Sequence, residues 1–393
     1  MASVPDSAGF DVRRIWSDER GRAALFQILV VLGLALFLAF IVSNTMANLQ
    51  SRGMEPGFGF LTDQAFFDIN QKLIEYSSTS TFGRALIVGL LNTLLVSALG
   101  IIAATLIGFT AGILRLSHNW LVSRLVTAYV EMTRNVPVLL QIIFWWGILT
   151  GLPRVRESLS IGDAVILNNR GVRFPAPILQ DGFGWVIAAF LVGIVATVVL
   201  VRWARRRQAA TGETFPVFLV GLGLLILLPV ATYFVFGQPL EWDVPRQMRF
   251  NYAGGINVTP ELVALWFALS IYTGSFISEI VRSGILSVSK GQTEAAYAIG
   301  LPPGLTMRKI VIPQAMRVII PPLTSQYLNL TKNSSLAVAI GYQDLVSIGG
   351  TILNQSGQAI EVVGIWMAVY LSLSLLTSGF MNWYNRRIAL VER

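Results

Sequence analysis

Eight apolar runs, five of them without a single charged residue, constrain this chain more than any motif it carries. They cover approximately Leu25–Val42, Leu86–Leu114, Val122–Leu149, Trp185–Val201, Pro216–Phe236, Leu262–Ile280, the Pro-marked Val311–Leu330, and Val362–Phe380. Hydrocarbon offers a backbone no hydrogen bonds, so a crossing segment of ~20 apolar residues must satisfy its own amides as a helix. Hydrophobic residues make up 54% of the chain and charged residues only 13%, with a mean hydropathy of +0.64. A soluble domain of ordinary composition carries roughly 25% charged residues. The chain therefore reads as an all-α polytopic membrane protein of about eight transmembrane helices. Its first run follows Arg13, Arg14, Arg20 and Arg22, as a signal peptide would. No small-residue cleavage pattern follows closely, so it reads as a retained span. Cysteine is absent, which excludes disulfides, thiol chemistry and Cys-ligated metal.

The net charge of +8 might suggest nucleic acid, but the arginines cluster at the ends of apolar runs, where they orient helices and meet lipid headgroups. Arg202, Arg205, Arg206 and Arg207, between the fourth and fifth runs, make the strongest inside marker. Counting outward puts the N-terminus, the Arg115–Arg124 turn, the Arg282–Lys309 loop and Arg386–Arg387 on that same side. An even span count with both termini in the cytoplasm satisfies all five basic segments. Residues 47–83, 150–183 and 237–260 then lie outside, where Arg170 and Arg173 reduce the charge contrast.

The loop after the sixth run holds more than a topology marker needs. Lys290-Gly291-Gln292-Thr293-Glu294-Ala295-Ala296 is a good short helix, Gly300 allows a tight turn after it, and Pro302-Pro303 stop it from continuing. Thr306–Ile312 starts a second short helix running toward Pro313. The expectation is a compact helix-turn-helix knob, with Glu294 capping its helix or taking a charged contact from a partner, and Ala295 and Ala296 permitting close packing.

The residues Glu279-Ile280-Val281-Arg282-Ser283-Gly284-Ile285, the Lys290–Ala296 stretch, Gly300, and Ile312-Pro313-Gln314-Ala315-Met316-Arg317 with Pro321-Pro322 resemble a known coupling-loop signature. It is that of polar amino-acid permeases of binding-protein-dependent ATP-binding-cassette importers. Leu91-Asn92-Thr93-Leu94, Glu131–Gln141 and Leu330–Leu336 extend the likeness over residues 83–149 and 259–385. Within the family, the long permeases of general or of glutamate/glutamine/aspartate/asparagine systems are most similar. The resemblance implies an importer-type permease fold in a bacterial inner membrane. It implies coupling to a cytoplasmic ATPase through Lys290, Gly291, Glu294, Ala295, Ala296 and Gly300. It also implies a second homologous permease, two copies of the ATPase, a periplasmic amino-acid-binding protein and a polar amino acid as cargo. No nucleic acid is expected as a partner.

The same likeness suggests a division into 1–82 (N-terminal segment, first span, periplasmic region), 83–149 (first half of the permease core), 150–258 (periplasmic segments and an inserted helix pair), 259–385 (second half of the core, with the coupling loop 282–312) and the tail 386–393. Inserting two spans preserves the sidedness of everything after them. The inserted pair reads as peripheral packing, with docking of a partner as the alternative.

No GxxxxGK[ST] loop occurs, so ATP and Mg are expected in partner subunits and no cofactor in this chain. No catalytic constellation is present at motif spacing, which argues against an enzyme, and His118 lies at a membrane boundary. For the substrate path, Gln141, Tyr272, Ser275 and Asn329 are chosen from the polar residues within spans, helix packing being the plainer reading of any one. Glu131, Arg134 and Glu279 need partners or water, or snorkel to the interface. The amphipathic stretch Asp68–Tyr76 is expected along the outer surface. Two rivals remain: a self-contained ion-coupled transporter, which would need paired repeats with broken midplane helices, and a non-transport scaffold, which would not need the knob.

Overall fold

The computed structural model describes residues 19–51, 57–162, 164–249 and 251–388. Six helices in it are long and apolar enough to cross a membrane, and two bent pairs raise that number to eight. Helix α1 (Glu19–Ser51) is exposed along its whole apolar stretch. Helices α2 (Phe82–Leu114), α3 (Trp120–Asn135) and α4 (Val138–Thr150) follow, then α5 (Phe183–Thr211) and α6 (Val217–Val235). The second half holds α7 (Pro260–Leu286), α8 (Lys290–Ala298), α9 (Pro303–Thr306), α10 (Ile312–Asn333), α11 (Leu345–Ser356) and α12 (Ala359–Ile388).

Local sequence sets the starts of these helices. The hydroxyls of Thr81 and Thr259 and the side chains of Asn119 and Asp344 accept backbone N–H groups at the first turns of α2, α7, α3 and α11. Packing then sorts the helices. The core is built on α2, α7 and α10, with Leu265, Leu269, Ile277, Ile320 and Leu330 fully buried. Along the α2–α7 seam, Gly108 and Gly112 form a GxxxG pair. A Cβ on Gly108 would lie 2.5 Å from Ile277 Cβ, and one on Gly112 would lie 2.8 Å from the Ser278 carbonyl. Only glycine lets these backbones come so close.

The third apolar run is not one straight span. Helices α3 and α4 meet at 106°. Val136 is extended (φ −100°, ψ 127°), as expected of a residue whose α conformation clashes with a following proline, here Pro137. The seventh run departs differently. Instead of a second short helix ending near Pro313, α9 passes through a π-turn at Met307–Val311 into α10, which carries on past Pro321 and Pro322. Pro313 follows directly on that π-turn, the local widening of the ladder standing where the proline offers no N–H. The knob is thus one free helix, α8, leaning on the start of a span.

The helical class holds, with a β element that the sequence reading did not foresee. Strands β1 (Leu159–Ile161), β2 (Val165–Asn168), β3 (Gly171–Phe174) and β4 (Ala176–Leu179) precede the inserted helix pair. Strands β5 (Leu240–Asp243), β6 (Arg246–Gln247), β7 (Tyr252–Ala253) and β8 (Ile256–Val258) follow it. Antiparallel pairing of β3 with β8 and of β4 with β5 closes the base of the α5–α6 hairpin, with Leu179 opposite Leu240.

A second core joins residues 60–86 to α11 and the start of α12. The stretch Asp68–Tyr76 forms no helix there. It buries Ile69 and Tyr76, and the Tyr76 hydroxyl donates to the Phe67 carbonyl at 3.0 Å. Burial, aided by the Asp68 charge, pushes the Tyr76 phenol above its ordinary pKa.

Candidate functional site

Helix α8 ends in a closed turn that its sequence specifies. Gly300 has φ +80°, its N–H donates to the Tyr297 carbonyl at 2.9 Å, and the Leu301 N–H donates to the Ala296 carbonyl at 3.0 Å. This is the Schellman arrangement, which a residue with a Cβ adopts only with strain. Pro303 then opens α9, and the buried Thr306 hydroxyl donates to the Pro302 carbonyl at 3.2 Å. Ala296 is the one residue of α8 that is fully buried, and α8 packs on the π-turn that leads into α10. A hydrogen bond from Gln314 Nε2 to Gln292 Oε1 at 3.2 Å ties α8 to α10 as well.

The remaining coupling residues face away from the chain. Lys290, Gly291, Glu294 and Ala295 are exposed, as is Ile299 at 77%. Glu294 caps nothing: it lies in the body of α8, and no hydrogen bond from a side chain closes the start of that helix. The capping expectation is therefore replaced by an outward-facing carboxylate. Gly291 has no positive φ, and a Cβ there would meet only Ser289 Oγ at 3.6 Å, so nothing among the described residues requires a glycine.

An ion cluster sits where the end of α2 meets α7. Arg115, just past the end of α2, donates from Nη1 to Glu279 Oε2 of α7 at 2.5 Å and lies 4.0 Å from Glu131 Oε1 of α3. Arg282 Nη2 donates to the other Glu279 oxygen at 2.6 Å. Arg134 is placed over the Phe276 ring at 5.1 Å. The charges of Glu131, Arg134 and Glu279 thus all have partners. Arg115 was read from the sequence only as a topology marker, because its partner is 164 positions away.

The four residues chosen for a substrate path do not form one site, and no hydrogen bond joins any two of their side chains. Gln141 Nε2 donates to the carbonyls of Thr133 and Val136, both at 2.9 Å, which the break between α3 and α4 leaves without helical partners. Its work is to brace the bend. Ser275 is fully buried and donates to the Tyr272 carbonyl at 2.6 Å, the ordinary packing role of a helical serine. Tyr272 is half-buried against Phe276, with ring centroids 5.0 Å apart. Asn329 alone stands open. It belongs to an exposed stripe of α10 formed by Val318, Pro321, Pro322, Ser325, Asn329 and Lys332, one helix face by spacing.

The Asn92-Thr93 pair, one of the matching sequence pieces, proves to be a lock. Asn92 Nδ2 donates to the carbonyls of Gln71 at 2.7 Å and Gln343 at 2.9 Å, and Thr93 Oγ1 accepts the Leu345 N–H at 3.1 Å. One buried turn of α2 thereby holds both the segment before it and the start of α11.

The family model described as binding-protein-dependent transport system inner membrane component matches residues 201–390. The general L-amino acid transport system permease protein AapQ of Rhizobium johnstonii is 54% identical over 386 residues, spanning 98% of this chain and 96% of that protein. The putative amino-acid ABC transporter permease protein YhdX of Escherichia coli is 51% identical over 374 residues, 95% of either chain. The glutamate/glutamine/aspartate/asparagine transport system permease protein BztB of Rhodobacter capsulatus is 41% identical over 426 aligned positions, 100% of both. Identity at this level over whole chains includes α1 and the inserted α5–α6 pair as well as the knob. The chain belongs to the family of inner-membrane components of binding-protein-dependent transport systems.

Proposed function

We propose that this chain is the translocation subunit of an ATP-driven importer of polar L-amino acids, gripped through α8 by a separate ATPase. The observation that carries the coupling role is an exposed helix, closed at its end by the Gly300 turn and tied to α10 through Gln292, that presents a glycine, Gly291, for which the described residues have no need. An outside surface close enough to exclude a Cβ supplies that need. Lys290, Glu294 and Ala295 flank the same face, and the apolar Ile299 extends it. The positive-inside rule supports a cytoplasmic position for this end of the bundle and the opposite side for the strand module β1–β8.

The family, described as binding-protein-dependent, and the relatives' names as amino-acid permeases support the rest of the reading. A second permease of the same family completes the path, two ATPase copies bind ATP and Mg, and a soluble binding protein delivers the amino acid from outside. An open stripe on α10 bearing Ser325, Asn329 and Lys332 is costly against lipid, so it faces the partner permease or the aqueous path. Asn329 is retained there as a substrate-path residue, as is Tyr272 of α7. Gln141 and Ser275 are left as supports.

Copurification in mild detergent, followed by reconstitution, tests this reading. The expected result is an ATPase that copurifies and uptake that requires ATP. Nucleotide-free uptake by the isolated chain would favour an ion-coupled transporter instead. Replacing Gly300 with Asp strains the turn by ~1–2 kcal/mol and should lower uptake per ATP hydrolysed while α2, α7 and α10 stay folded. Unchanged coupling in an assembled Gly300→Asp complex would remove α8 from the force path.

A further inference from the structure

Resting on the importer reading, we propose that Arg115 and Glu279 are a positioning pair that makes α2 follow α7 when α8 is displaced. Helix α7 leads into α8 through only Ser287, Val288 and Ser289, so a pull on α8 reaches α7 first. Glu279 lies two turns above the end of α7 and is held on both carboxylate oxygens, by Arg115 at 2.5 Å and by Arg282 at 2.6 Å. The Arg115 side chain is only 9% exposed, whereas Glu131, its more distant neighbour at 4.0 Å, is 56% exposed.

The two limbs of the Arg115 contact are therefore unequal. The short, sheltered limb ties α2 to α7, and the long, solvated limb adds little to the hold on α3, which reaches α7 directly through the Tyr129 hydroxyl on the Ile271 carbonyl at 2.8 Å and through Arg134 over Phe276. Charge pairs in sheltered places are weak contributors to stability, and an apolar pair would hold the fold as well, but they fix register. The glycine seam at Gly108 and Gly112 keeps α2 and α7 in close contact, yet apolar ridges can slide along one another. The charge-assisted hydrogen bond from Arg115 Nη1 to the Glu279 carboxylate resists that slide. Helices α2 and α7 then move as one body.

The experiment uses the whole complex, purified with its ATPase partners and reconstituted in liposomes with binding protein. It measures substrate taken up per ATP hydrolysed, a ratio that loss of folded complex alone leaves unchanged. Arg115→Met and Glu279→Gln are expected to lower the ratio about fivefold with ATP hydrolysis held within about twofold, and Arg115→Lys to recover some of it. An unchanged ratio overturns the inference, as does a parallel fall of uptake and hydrolysis in an assembled variant. If Arg115→Met does not assemble, Glu279→Gln decides; if neither assembles, the pair is a folding element and the inference fails. The importer reading fails separately, by the wild-type complex showing no ATP-dependent uptake.

Discussion

Helices α2 and α5 are almost equally apolar along their most hydrophobic stretches, yet half of that stretch is buried in α2 and only 6% in α5. The first is a structural axis, packed on α7, α10 and α11. Among the described residues the second packs chiefly with α6, the hairpin closed at its base by Trp185 stacked on Phe236 at 5.9 Å. Hydropathy registers transfer out of water, and both helices make that transfer. What separates them is close contact, which in lipid rests on small residues and interhelical hydrogen bonds because lipid tails are as apolar as leucine. Glycines opposite a neighbouring backbone, and polar locks such as Asn92, therefore mark the core where hydrophobicity does not.

The largest way to break this contrast is to spoil the seam. Gly112→Leu would drive a side chain into the Ser278 carbonyl and Val281, and overpacking of this kind costs ~3 kcal/mol or more. The expected outcome is a sharp loss of folded chain in membranes, read by abundance and by thermal unfolding in detergent. The same change at Gly184, where a Cβ meets nothing within 4 Å, should leave both unchanged.

A smaller effect is expected at the α3–α4 bend. Gln141→Leu leaves the Thr133 and Val136 carbonyls without their donor, at about 1–3 kcal/mol. Faster amide exchange confined to residues 133–141 would confirm the brace. Exchange unchanged there would return Gln141 to the substrate path.

Least disturbing, against intuition, should be removal of the entire α5–α6 hairpin. Because β4 and β5 pair and the Gln180 N–H donates to the Pro239 carbonyl at 3.2 Å, residues 183–236 can be excised and the ribbon closed by a short turn. The remaining core should keep its melting temperature within about 3 °C, a change of ~1 kcal/mol. Collapse of the core on excision would show that the pair belongs to the axis after all. Loss of uptake with the core intact would make it a docking element.

Much of this was legible in local sequence. The spans follow from apolar length, the α8 turn from Gly300 followed by Pro302-Pro303, and the even parity of the insertion from counting runs. The bend at Pro137 carried a signal in the Val136-Pro137 step, but one apolar run on both sides of it concealed the corner. The strands were not legible: they are two to four residues long, β1 is exposed at every position, and β3 finds β8 only across two spans. Polar span residues were ambiguous because a glutamine facing a substrate and one capping a broken helix need the same side chain. Gln141 was decided by two carbonyls that only the bend leaves free.

The sequence by itself determined that this chain carries six to eight segments long and apolar enough to cross a membrane, and which of them are broken by a built turn, because desolvation and backbone geometry act locally. Only the tertiary structure decided which crossings bury one another and which charges meet. Arg115 and Glu279 sit 164 positions apart, and no local rule joins them. Their encounter exists because Gly108 and Gly112 let α2 lie against α7 closely enough, and in register, for the two side chains to touch.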